Sequence, residues 1–79
     1  MGTEKHTAKK ITEKDKAVGR RIRKYRKEAN LTQEQLAEKA RISTTHVGLV
    51  ETGNRRMSLK TLQRVASVLN IKVRDLINF

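Results

Sequence analysis

Apolar residues return every three or four positions along this chain, and that spacing restricts it to short packed helices. The clearest stretch follows Ser58, where Leu59, Leu62, Val65, Ala66 and Leu69 share one helical face. Val18, Ile22, Tyr25 and Ala29 repeat the pattern between Lys14 and Ala29, leaving Arg20, Arg21, Arg23, Lys24 and Lys27 on the other faces. Leu36, Ala37 and Ala40 make a smaller face between Thr32 and Ala40, and Val47 with Val50 another between Thr44 and Glu51. Ile71, Val73, Leu76 and Ile77 add a short fifth segment. No stretch alternates β-branched residues over a strand's length. The expected fold is all-α, a compact five-helix bundle.

The breaks between these segments carry stop and start signals. Thr32, followed three residues later by Gln35, reads as a capping box. Ser43 and Ser58 are placed to cap the third and fourth helices. Asn30 and Asn70 suit a left-handed helix end, and Gly53 a positive φ after the third helix. Two short helices, Thr32 to Ala40 and Thr44 to Glu51, are thereby joined by the tight turn Arg41-Ile42-Ser43, which is a helix-turn-helix. Ala37 allows the close crossing, Ile42 plugs the turn, and Val47 and Val50 root the second helix. Thr44, Thr45, Gly48 and Leu49 are then left facing outward, where a major groove would receive them.

A chain of 79 residues holds one domain. Residues 1–14 contain little that could be buried and are expected to form a flexible basic arm, most simply a solvated tail and alternatively an arm lying along a DNA groove, ahead of a domain over residues 15–79. The chain has 19 Lys and Arg against 8 Asp and Glu, a formal net charge of +11. Such a field attracts polyanions: DNA, RNA or an anionic membrane surface. With Tyr25 and Phe79 as its aromatics, it lacks the stacking platforms of single-strand binders. No apolar run approaches the roughly 18 residues of a membrane span, and no signal peptide opens the chain, so a cytoplasmic protein is expected. There is no cysteine. His6 and His46 do not make a metal site, and no nucleophile–base pair or phosphate-cradling glycine loop stands out. The expectation is therefore no enzyme, no cofactor, no metal and no small-molecule substrate.

Residues Val18 to Ile77 resemble the lambda-repressor-like, or Cro/repressor (XRE), helix-turn-helix family. The resemblance rests on Gly19-x-x-Ile22-x-x-x-Arg26, then Leu31-Thr32-Gln33-Glu34-Gln35-Leu36-Ala37, Ile42-Ser43, Val47-x-x-Val50-Glu51-x-Gly53, and Leu59-x-x-Leu62-x-x-Val65-Ala66-x-x-Leu69 with Leu76. It implies a transcriptional regulator, usually a repressor, that binds double-stranded DNA. By this likeness Thr44, Thr45 and Leu49 fall on base-reading positions. Gln33 falls where a glutamine holds a phosphate and braces the recognition helix. Ser43, Asn54, Arg55 and Arg56 fall where the backbone is gripped, and Arg26 with Glu51 on a buried structural ion pair. The chain departs from the family at Asn30 and Arg41, where glycine is common, and at Met57, where proline is common. A standard turn requires positive φ at Arg41.

Three points stay open at the level of sequence. Ile77 and Phe79 form an apolar end that favours the seam of a symmetric homodimer on a palindromic operator, although they would also serve to close a monomer core. His46 is either a titrating DNA contact or a half-exposed residue with no special role. The rival functions are a protein-interaction module, such as an antitoxin or transcription-factor adaptor, and an RNA binder.

Overall fold

The computed structural model describes residues 10–79. The expected basic arm therefore lies mostly outside the described residues. Among those residues there are five helices: α1 Glu13–Glu28, α2 Gln33–Ala40, α3 Thr44–Glu51, α4 Leu59–Leu69 and α5 Val73–Ile77. α3 packs on α1 and α2, α4 packs on α2, and α5 closes against α1 and α4. The architecture is the all-α, five-helix arrangement expected from the apolar spacing.

Helix starts follow from short polar side chains. Thr32 Oγ1 accepts from the Gln35 amide at 3.0 Å, and the Thr32 amide donates to Gln35 Oε1 at 2.9 Å. Ser43 Oγ accepts from the His46 amide at 3.0 Å, and Ser58 Oγ from the Thr61 amide at 3.2 Å. Each bond satisfies an amide that the helix itself leaves without an acceptor. α1 starts earlier than its apolar face, because Thr12 and Asp15 form a second reciprocal box, at 3.1 and 2.9 Å. The helix ends are as local. Asn30, Arg41 and Asn70 take φ of 59°, 61° and 58°, and Gly53 takes 80°. The left-handed form costs a non-glycine residue about 1 kcal/mol, so Arg41 sits in the conformation that the standard turn demands and its side chain does not favour.

The core is one cluster. Ile22, Leu36, Val47, Val50, Val65 and Leu76 are fully buried, and Tyr25, Leu31, Ile42, Val68, Ile71 and Val73 pack around them. Each fully buried aliphatic side chain contributes about 1.5–3 kcal/mol. Two sequence assignments need correcting. Leu59 belongs to the apolar stripe by spacing but is 57% exposed: it is the first residue of α4, and the buried face of that helix starts at Leu62. Ala29 is the exposed residue that ends α1 rather than part of its inner face. Met57, which has no periodic partner, is buried and pins the α3–α4 loop to the core. Gly19 is where α1 and α3 touch backbone to backbone: a Cβ there would overlap the Val50 carbonyl oxygen and stand 3.0 Å from its carbon.

Candidate nucleic-acid interface

α3 is eight residues long and presents two unlike faces. Val47, Val50 and Glu51 are buried, which fixes its rotation against α1 and α2. Thr44 and Thr45 are exposed at its first turn, and Gly48 and Leu49 are half-buried. Gly48 faces α2, since a Cβ on it would rest 3.6 Å from Gln33 Oε1, an ordinary contact. The outward surface of α3 is thus its N-terminal end. That end carries free amides and the positive pole of the helix, an arrangement suited to a polyanion.

The other end of α3 is locked by a polar cluster. Glu51 is 7% exposed and Arg26 is 8% exposed. Arg26 Nε donates to Glu51 Oε2 at 2.7 Å and Nη2 to Oε1 at 3.0 Å, a two-pronged contact between α1 and α3. Arg26 Nη1 also donates to the Leu31 carbonyl at 2.8 Å. Gln33 Nε2 donates to Glu51 Oε1 at 3.0 Å, so the first residue of α2 is tied into the same cluster. Among the described residues no buried side-chain nitrogen or oxygen lacks a partner. Such a cluster specifies one orientation of α3 more than it adds stability, because burying the two charges offsets most of their attraction. Gln33 therefore stands half-buried at the α2 N-terminus with its amide nitrogen engaged on Glu51.

The α3–α4 loop flanks the exposed end. Thr52 Oγ1 donates to the Gly48 carbonyl at 3.0 Å, and Asn54 Nδ2 donates to Thr52 Oγ1 at 3.0 Å. The Asn54 amide also donates to the Leu49 carbonyl at 2.8 Å. These bonds, with Met57 beneath, hold the loop so that Asn54, Arg55 and Arg56 are exposed. Arg56 approaches Asp15 at 4.0 Å, so α1 supplies a weak competitor for one loop cation. His46 sits beside Ile11, Asn54, Arg55 and Arg56 in an open hollow. Burial first, and the Arg55 charge second, hold its imidazole below the usual value of 6.5.

Three cationic residues of α1 gain significance only from the tertiary arrangement. Lys16 and Arg20 of α1 line a cleft of about 210 Å³ with Glu51, Thr52 and Gly53, and Arg23 lines one of about 200 Å³ with Arg26, Gln33, Glu51 and Thr52. By spacing alone Arg20 and Arg23 belong to a solvated face; the signal that they border α3 comes from the α1–α3 crossing at Gly19. At the far end of the bundle, Ile77 is 39% exposed and Phe79 56% exposed. Arg21 Nη1 donates to the Asn78 carbonyl at 2.8 Å and the Leu76 carbonyl at 3.3 Å, and its guanidinium lies 4.5 Å from the Phe79 ring centre. Among the described residues no cluster of three or more His, Asp or Glu is placed to hold a metal, and no helix is long and apolar enough to cross a membrane.

A family model described as helix-turn-helix matches residues 22–76. The immunity repressor protein of Bacillus phage phi105 is 48% identical over 56 residues, covering 71% of this chain and 39% of that protein. The HTH-type transcriptional regulator YazB of Bacillus subtilis is 45% identical over 58 residues, covering 73% of this chain and 84% of YazB. Among solved structures, the biofilm master regulator SinR in complex with DNA superposes with a TM-score of 0.72 at 33% identity, covering 75% of this chain and 95% of that one. The chain thus spans well under half of the phage repressor but most of YazB.

Proposed function

The chain belongs to the helix-turn-helix family of the Cro/repressor (XRE) type, and on that premise we propose that it is a sequence-specific regulator of transcription, acting as a repressor, whose α3 enters the major groove of double-stranded DNA. The carrying observation is the two-faced α3: Val47, Val50 and Glu51 root it, while Thr44 and Thr45 stand exposed at its first turn. A threonine hydroxyl can bond several base edges, and its methyl can touch that of thymine. Leu49, half-buried on the same helix, is assigned an apolar contact. Gly48 keeps the adjoining surface low.

Phosphates are assigned to Gln33 and Ser43 at two helix N-termini, and to Asn54, Arg55 and Arg56 in the loop. Arg26 and Glu51 orient the reading helix and touch no DNA. The similarity to SinR, solved in complex with DNA, supports this reading. The exposed Ile77 and Phe79 support a two-fold dimer, which would read two half-sites about one helical turn apart in a palindromic operator.

Selection of bound sequences from random duplexes tests the proposal. The chain should return a palindromic motif, and Thr44→Ala with Thr45→Ala should blur that motif at defined positions. Recovery of the same motif from the double variant removes those two residues from base reading. Recovery of no motif at all defeats the proposal.

A further inference from the structure

A second cationic surface, sharing no residue with the Arg55–Arg56 hollow, lies between the end of α2 and α4. Lys39 and Arg41 at the end of α2, with Lys60, Gln63, Arg64, Ser67 and Val68 on α4, line an open groove of about 450 Å³. Four of these residues are cations, and no carboxylate lines the groove. Among the described residues the ion pairs Lys16–Glu13, Arg26–Glu51 and Arg56–Asp15 lie elsewhere.

Part of this charge has a local reason. Arg64 Nε donates to the Ala40 carbonyl at 3.0 Å, capping α2, and Lys39 stands in the last turn of that helix. A helix C-terminus offers only about half a negative charge, so it cannot answer four cations. The other two placements run against local preference. Arg41 holds φ 61°, a conformation in which glycine would be unstrained. Lys60 occupies the first turn of α4, where the helix pole is positive and no acidic residue offsets it. The turn itself accounts for the φ of Arg41, but a cation there and another at the α4 start, with no carboxylate beside either, leave the groove a positive potential that an anion would offset.

Chain position identifies that anion. Arg41 lies two residues before Ser43, the cap of α3, and Lys60 follows directly on the helix start after the Asn54–Arg56 loop. The groove is thus fed by both segments that flank the reading helix. The geometry points to Lys39, Arg41 and Lys60 as a second backbone clamp, which holds phosphodiesters of the DNA strand beside the α3 N-terminus. This inference rests on the DNA-binding reading above and extends its footprint to α4. An acidic protein surface would satisfy the charge but would have no need to lie beside α3.

The test is the salt dependence of binding to a duplex of arbitrary sequence, where backbone contacts dominate. Arg41→Gly removes the cation while placing glycine at a left-handed position, so its melting temperature should hold or rise. Lys39→Gln and Lys60→Gln remove the other two charges at exposed sites. Each lost contact should make the slope of log K against log salt shallower by about 0.9, and Arg41→Lys should keep the parent slope. If the parent binds DNA with a steep slope and all three neutral variants match it, this clamp is refuted while the DNA-binding reading survives. If the parent itself shows no salt-dependent binding to duplex DNA, both fail.

Discussion

Substituting Glu51 by glutamine removes the charge at the centre of the cluster that orients α3 and changes almost nothing in shape. Glu51 accepts three hydrogen bonds, two from Arg26 and one from Gln33. Arg26, 8% exposed in the parent, would keep its charge in the Glu51→Gln variant with only the Leu31 carbonyl and one amide oxygen left to accept from it. Breaking a buried pair from one side costs about 3–5 kcal/mol, and the retained amide oxygen places this variant at the lower end, about 3 kcal/mol. A domain of this length is stable by only about 4–12 kcal/mol. At about 4–8 °C per kcal/mol, Tm should fall by about 12–24 °C in a thermal melt followed by circular dichroism. The double variant Arg26→Met with Glu51→Leu replaces both charges by apolar groups of similar bulk and should recover most of that loss. It still leaves Gln33 without its acceptor, so its affinity for DNA should stay low after stability returns. A fall of less than about 4 °C for Glu51→Gln, or a double variant less stable than either single one, would refute the account of this cluster.

Gly19→Ala drives a methyl group into the Val50 carbonyl; it should destabilise by about 1–3 kcal/mol, and an unchanged urea midpoint would show that α1 and α3 can part without cost. His46 should titrate below 6.5 by NMR, and Arg55→Gln should move it only part of the way back, because burial is the larger cause and persists. Since the folded chain holds this imidazole below its unfolded value, the unfolded chain takes up the proton first as pH falls through 6.5, so His46 should lower stability on the acid side of that point and not above it. Ile77→Ser with Phe79→Ser should shift sedimentation from dimer to monomer and remove the rise of Tm with protein concentration that a dimer shows; a dimer that persists places the seam elsewhere.

What could be read from the sequence was what depends on near neighbours. The Thr32–Gln35 box, the serine caps and the left-handed Asn30 and Asn70 are each settled within four residues, and the structure has all of them. The Thr12–Asp15 box carries the same signal, yet it lies ahead of the apolar face by which α1 was located. Periodicity overreached at Leu59, because a stripe says which face is apolar and not where the core stops. It was silent on Met57, a lone apolar residue in a loop. The candidate interface was legible in part: the exposure of Thr44 and Thr45 follows from the inward pull of Val47 and Val50. The half-burial of Gly48 and Leu49, the tie between Gln33 and Glu51, and the bond from Arg64 to Ala40 span 18 residues or more or depend on helix crossings, and no local pattern announces them.

The central claim is that the N-terminal end of α3 is the surface that meets DNA. Titrating duplex DNA into the isotopically labelled chain and following backbone amide shifts tests it most directly. The account predicts the largest changes at Ser43 to Leu49, with a second set at Gln33 and at Asn54 to Arg56. Changes confined to α5 and the Ile77–Phe79 end, with Thr44 and Thr45 unmoved, would contradict it.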